Sequence, residues 1–213
     1  LKITDSSFAY TDDATDPPYN LSVARLNGGI TNFSNHFTAG TAKAAFTGQF
    51  MGSGKSSISG TFRPETEGPD FNLDLKLLDV DLPLLNNLFR AYGDFEVYSG
   101  QLSVYSQVTV RRGEMTGYVK PLFGKVQVYN AQQEKNKGVF HQLYEMTVGA
   151  VSKLLKNPGT RKVATKVNVS GRLANPNLST WQAIVEFLHN AFVKAILPGF
   201  SHEPRIKPPP PGP

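Results

Sequence analysis

The chain has 213 residues, 39% of them hydrophobic and 11% aromatic, enough for a packed core in one large all-β domain or two small ones. Cysteine is absent, which excludes disulfides, thiolate metal sites and cysteine nucleophiles, and fits the cytoplasm and a bacterial periplasm equally. The net charge is +5, with cations crowded between Arg111 and Arg172 against only Glu114, Glu134 and Glu145, and no run of ~18 apolar residues offers a membrane-spanning helix.

Residues 2–12 read as a first strand anchored by Phe8 and Tyr10, closed by Asp12-Asp13 and a turn at Pro17-Pro18. Leu21 to Phe33 reads as a strand kinked at Gly28-Gly29. Thr41 to Met51 alternates, with Ala42, Ala44, Phe46, Gly48 and Phe50 on one face. Gly52-Ser53-Gly54 turns the chain into a returning strand, Ser57 to Phe62, and Pro64 to Pro69 is a loop.

The stretch from Phe71 to Val110 organises the chain. Phe71, Leu73, Leu75 and Leu77 alternate with polar residues, and Leu77-Leu78 breaks the alternation, predicting a bulge. Pro83 suits a first helical turn, and Leu84, Leu85, Leu88, Phe89 and Tyr92 continue at helical spacing before Gly93. After Gly100 a long strand turns Leu102, Val104, Val108 and Val110 one way and Gln101, Ser103, Tyr105, Gln107 and Thr109 the other. Gln101 to Arg112 alone spans ~40 Å when extended. Arg111 to Glu114 reads as a hairpin turn, and Met115 to Tyr129 as its returning strand, bent near Gly117 and Pro121 to Gly124.

Beyond a polar link, residues 139–156 predict a helix, residues 162–173 a strand carrying Val163, Val167 and Val169, and residues 180–197 a second amphipathic helix with Trp181, Ile184, Leu188 and Phe192 in its apolar band. The tail, 201–213, is proline-rich and aperiodic, expected to be a disordered stretch or linker.

Several of these patterns, in this order, resemble the AsmA-like bacterial envelope proteins, in particular their branch known only as a domain of unknown function. The matching residues are Asp79, Asp81-Leu82-Pro83, Tyr92, Ser99-Gly100 and Leu102, with a second set running from Ile3 to Asp12, through Pro17-Pro18, and from Leu21 to Ile30. The patterns are strand patterns rather than ligand sets, and the resemblance covers most of the chain, most strongly residues 1–123. It implies a repeating β-groove of the bridge-like lipid-transfer type, a periplasmic location, an inner-membrane anchor in the full-length protein and a part in lipid transport and outer membrane biogenesis. The segment itself is then expected to be the soluble part of a longer anchored protein.

Other motifs carry less. Gly54-Lys55-Ser56 echoes the end of a phosphate-binding loop, but position 49 is Gln rather than Gly, and a strand pattern comes next where the motif needs a helix. His36, His141, His189 and His202 have no metal-ligand spacing, and no nucleophile elbow appears. Asp79 and Asp81 suit a strand-to-helix corner better than an acid–base pair. Tyr98, Tyr105, Arg111, Tyr118 and Lys120 interleave rings with cations, but no RNA-binding signature accompanies them, and cross-strand packing explains them more simply.

The expected fold is therefore mainly β: one domain over residues 1–200, a long, twisted antiparallel sheet curled into a half-pipe or partial barrel, with about three amphipathic helices (83–92, 139–156 and 180–197) covering one side or end. The expected function is non-catalytic, without metal, cofactor or nucleic acid: binding or conducting phospholipid acyl chains. The groove candidates are Phe71, Leu73, Leu75, Leu102, Val104, Val108, Val110, Val163, Val167 and Val169. Leu85, Leu88, Phe89, Trp181, Ile184, Leu188 and Phe192 are the cover candidates, and Arg111, Arg112, Lys120, Lys162 and Lys166 the candidates for anionic headgroups. The alternative is an envelope scaffold, with a filled core and a protein partner docked at a sheet edge or helix.

Overall fold

A computed structural model describes residues 1–33, 40–63, 70–93, 96–129, 162–164 and 166–172. The helices expected over 139–156 and 180–197 and the tail lie outside the described residues, as do all four histidines.

The described chain is mainly β. Its strands are β1 (Lys2–Asp12), β2 (Tyr19–Thr31), β3 (Ala42–Phe50), β4 (Gly54–Arg63), β5 (Asp70–Asp81), β6 (Glu96–Arg111), β7 (Glu114–Tyr129), β8 (Lys162–Ala164) and β9 (Val167–Arg172). A 3-10 turn, Leu82–Leu85, runs directly into α1, Asn86–Gly93, between β5 and β6. Among the described residues this is the one α-helix, where sequence periodicity predicts three over the whole chain.

All strands join one antiparallel sheet in sequence order, β1 to β8, with β9 sharing the outer edge of β7 with β8. The nine strands thus take eight positions, and the sheet is not closed into a barrel. From β1 to β7 each strand pairs antiparallel with the next in sequence, and the short helical excursion is inserted between β5 and β6. The single strand expected over 162–173 is instead two pieces. The ladder on that side of β7 stops at Val119 and resumes at Leu122, and Pro121, which has no N–H to donate, sits in the gap.

Local chemistry sets the corners. Arg112 and Gly113 both have positive φ, 50° and 73°, as a two-residue hairpin of the primed type needs. The expected break in β5 falls between Leu77 and Val80, where Asp79 takes φ 55° and its N–H donates to Ser103 Oγ at 3.1 Å. In β2 the irregularity lies between Ala24 and Asn27, with Arg25 at φ 51°, a few residues ahead of the Gly28-Gly29 kink that the sequence suggests. Gly100 does not open a strand but sits inside β6 at φ 136°. A Cβ there would fall 2.9 Å from both Leu82 Cδ1 and Val126 Cα, so glycine lets Leu82 settle onto β6.

Candidate functional site

The period-two alternation of β2 to β7 sorts their side chains into two faces. Register aligns Ile30, Ala44, Gly60, Leu73, Val108 and Gly117 in one row across six strands. A parallel row runs Phe46, Ile58, Leu75, Ser106 and Val119, and a third runs Ala42, Phe62, Phe71, Val110 and Met115. One residue out of phase the rows are polar: Lys43, Thr61, Asn72, Thr109 and Thr116 stand in line. There Thr109 Oγ1 donates to Asn72 Oδ1 at 3.0 Å, and Asn72 Nδ2 to Thr61 Oγ1 at 3.3 Å. One face of the sheet is therefore mainly hydrocarbon, interrupted by the buried Ser56 and Ser106, and the other is wet.

The 3-10 turn and α1 lie on the hydrocarbon face at one end. Leu82, Leu85, Leu88, Phe89 and Tyr92 are buried there against Leu77, Val80, Val97, Leu102 and Val104, with Tyr19 from β2 and Phe50 from β3 in the same cluster. Asn86 pins the helix to β6 as a strand neighbour would: its Oδ1 accepts from the Val97 N–H at 2.8 Å and its Nδ2 donates to the Val97 carbonyl at 3.0 Å. Arg90 closes the exposed side, with Nε 2.7 Å from Glu96 and Nη1 2.8 Å from Asn87.

A tyrosine group ties the helix to the β1–β2 hairpin. The Tyr19 and Tyr92 rings meet edge-on with centroids 6.0 Å apart, and Tyr10 lies 6.3 Å from Tyr19. Burial, and then its hydrogen bond to Tyr92, hold the Tyr19 phenol far above its ordinary range. Burial raises Tyr92 as well, while the bond from Tyr19 acts in the other direction. Nearby, the buried Thr15 hydroxyl donates to the Pro17 carbonyl at 2.9 Å, holding the β1–β2 loop.

The sequence candidates divide on this frame. Phe71, Leu73 and Leu75 are half-buried on the hydrocarbon face, beside Ile30, Ala44, Phe46, Ile58 and Phe62, which alternation signalled in β2 to β4 and which belong with them. Leu102 and Val104 share that face but are 0% exposed beneath α1, so they are core and not groove wall. Val108 (2%) and Val110 (0%) are equally buried, in a second cluster with Met115 against which Phe71 packs. Val169 stands opposite Gly117 on the same face. Val163 and Val167 stand opposite Phe123 and Val119 in the register, and their side chains lie outside the described set.

Leu85, Leu88 and Phe89 do cover the sheet, whereas Trp181, Ile184, Leu188 and Phe192 lie outside the described residues. The proposed headgroup cations are not brought together. Arg111 pairs with Asp70 at one sheet end, and Arg112 is exposed in the adjacent turn. Lys120 stands opposite Tyr105 on the polar face, and Lys166 Nζ lies 4.6 Å over the Tyr118 ring on that same face. The Lys162 side chain is not among those described. Gly54-Lys55-Ser56 opens β4 as strand, with Ser56 buried, which removes the phosphate-loop geometry.

Residues missed from sequence are Tyr19, Val80 and Asn86. Tyr19 comes after two prolines and precedes the visible alternation, Val80 lies past the bulge, and nothing in composition marks an asparagine as a staple.

No family model, no curated protein and no solved structure matches this chain. Tyr10 and Leu21, distant in sequence, pack against the cluster that holds Leu82, Tyr92 and Leu102. Among the described residues no helix is long and apolar enough to cross a membrane.

Proposed function

We propose that this chain is a non-catalytic lipid-binding segment whose hydrocarbon face holds phospholipid acyl chains, as an AsmA-like periplasmic part of a protein anchored in the inner membrane. The observation that carries the reading is the row pattern: six consecutive strands turn apolar side chains to one face of an unclosed sheet, with Ala44, Phe46, Ile58, Leu73 and Leu75 half-buried there. An ordinary core is sealed throughout. Here the sealed parts are the α1 cluster and the Val108–Val110–Met115 cluster, and the middle is accessible.

The sheet is also curled in this reading. In a flat sheet β2 and β6 are separated by four spacings of ~4.8 Å, ~19 Å in all. A helix ~10–12 Å across nonetheless touches Tyr19 at the start of β2 and Val97 in β6. A half-pipe wrapped round α1 brings both within reach. The mechanism is passive. Apolar side chains replace water around an acyl chain, and the headgroup stays at the wet rim.

The test is native mass spectrometry and organic extraction of the gently purified chain. Bound phospholipid is expected, and it should be lost in Ile58→Glu, which buries a charge in the half-open row without touching either sealed cluster. Protein that is lipid-free after gentle purification, and stays so when offered mixed phospholipid vesicles, refutes the reading in favour of a filled scaffold.

A further inference from the structure

The half-open part of the hydrocarbon face is closed on one side and open on the other. Across the strands, Ile30, Ala44, Gly60 and Leu73 are half-buried, and their row closes at Val108, 2% exposed. The neighbouring row runs from Gly28 through Phe46 and Ile58 to Leu75, and closes at the buried Ser106 and Val119. In the other direction neither row closes. Ile3 stands opposite Gly28 and is half-buried. Leu1 stands opposite Ile30, joined to it by backbone hydrogen bonds of 2.8 and 3.0 Å, and its side chain is exposed. Both rows therefore carry hydrocarbon out to β1, which ends the strand order on that side among the described residues. From β1 to β5 is four spacings of ~4.8 Å, ~19 Å in all. One leaflet's acyl chains reach ~15 Å, half the ~30 Å hydrocarbon thickness of a bilayer.

The rim itself is greasy and irregular. Phe8 stands opposite Val23, which packs against the α1 cluster, so it shares the hydrocarbon face, yet its ring is 64% exposed. An exposed apolar rim continuous with an open apolar face suits a membrane or a ligand entrance. It does not suit an added strand. The register of β1 shifts between Ile3 and Ser6 and again between Ser6 and Phe8, and Asp5 takes φ 43°. Such bulges keep an edge from templating another chain, whereas a hydrocarbon chain needs no hydrogen bonds from it.

We propose that β1 is the loading lip of the trough: Ile3 and Phe8 rest in the surface of a bilayer, and an acyl chain passes over β1 to lie across the strands, its methyl end toward β6 and its headgroup in water outside β1. This rests on the lipid-binding reading and adds the bilayer as partner, a route and a direction to it. Entry over β1 requires no movement of α1, which Asn86 and the Tyr19–Tyr92 contact hold in place.

The experiment mixes the full chain with phosphatidylcholine vesicles that carry a pyrene-labelled phosphatidylcholine. Flotation with the vesicles, the rate of lipid uptake and the lipid content at equilibrium are read separately. Phe8→Asp changes an exposed ring and removes nothing from the core. It should cut flotation and uptake rate about tenfold, the low end of what burying one such ring contributes, and leave equilibrium content as in the parent. Ile58→Glu should do the reverse, keeping flotation and losing content. Direction is read on protein freed of vesicles. In a Trp181→Phe background, Ile3→Trp sets an indole at the lip and Ile58→Trp sets one in the same row on β4. Phosphatidylcholine brominated at the chain end should quench the indole at position 58 more strongly, and that brominated beside the ester the indole at position 3. Phe8→Asp that floats and loads as the parent does, or quenching that is equal or reversed, overturns the lip and leaves lipid binding standing. Equilibrium content that falls in step with the rate makes Phe8 part of the seat and also overturns the lip. A parent chain that takes up no lipid and shows no quenching overturns both.

Discussion

Gly100→Ala and Gly52→Ala should differ severalfold in cost, although both glycines have positive φ. Gly52 (φ 71°) sits in the β3–β4 turn, and a Cβ there would meet nothing within 4 Å. Its replacement costs only the left-handed backbone, about 1–2 kcal/mol. Gly100 (φ 136°) lies in a backbone region that alanine avoids, which by itself costs about 1–3 kcal/mol. Its new Cβ would also lie 2.9 Å from Val126 Cα, backbone of the neighbouring strand, and 2.9 Å from Leu82 Cδ1. Overpacking of this kind adds about 1–3 kcal/mol, so Gly100→Ala should lose about 2–6 kcal/mol. Urea unfolding of the two variants beside the parent, analysed with a common slope, measures the difference. Equal midpoints would mean that Leu82 does not press onto β6 at Gly100, and the placement of the 3-10 turn over the sheet would fall with it.

Asn86→Ala should destabilise by about 2–4 kcal/mol, because it leaves both the N–H and the carbonyl of Val97 without their side-chain partner in a half-buried position, and hydrogen exchange at Val97 should accelerate with it. Asn86→Asp keeps the acceptor but sets a carboxylate against the Val97 carbonyl, so its melting temperature should rise as pH falls through the carboxylate range. Stability should decline as pH rises above about 10. The Tyr19 phenol keeps its proton in the folded chain after the unfolded chain has lost it, so each such tyrosine costs about 1.4 kcal/mol per pH unit. Tyr19→Phe should reduce that alkaline slope, and urea titrations between about pH 9 and pH 11 measure it. Asn72→Ala breaks a hydrogen-bonded chain on the wet face, where water takes over both partners, so it should cost under about 1 kcal/mol and leave lipid binding unchanged.

The division between legible and hidden tracks the range of the interactions. Strand identity and hairpin order were legible because alternation is local: Phe71 to Leu77 and Leu102 to Val110 announce one dry face whatever they pack against, and a pair such as Arg112-Gly113 announces its turn. The helix over 83–92 was legible for the same reason, from Pro83 and the spacing of Leu85, Leu88 and Phe89. What alternation cannot say is how deep each dry position lies. Leu75 and Val104 look alike in sequence, yet one is half-open and the other sealed, because only the second lies under α1. The headgroup cations are spread apart for a related reason. Proximity in sequence grouped Lys120 with Arg111, and parity puts both on the wet face, but the hairpin sets Lys120 opposite Tyr105, six residues down β6 from Arg111, which lies at the sheet end beside Asp70.

The same asymmetry bears on function. A filled scaffold needs only that apolar side chains face inward; it gains nothing from leaving Ile58, Leu73 and Phe46 half-open between two fully sealed clusters. Closing that gap is chemically easy. Larger side chains at Ala44 and Gly60, which stand side by side in the middle of the open row, would roof part of it. The row instead carries two small residues where β3 meets β4, although glycine inside a strand weakens it. Gly60 is constrained by its surroundings, since a Cβ there would fall 2.5 Å from the Asn72 carbonyl oxygen. Ala44 already carries a Cβ on the open face, so it is the position that decides the matter. If the open middle serves a ligand, Ala44→Leu should raise thermal stability by adding buried hydrocarbon while cutting acyl-chain binding about tenfold or more, a change of about 1.4 kcal/mol. If the middle is only imperfect packing, the same substitution should stabilise the fold and leave lipid content untouched.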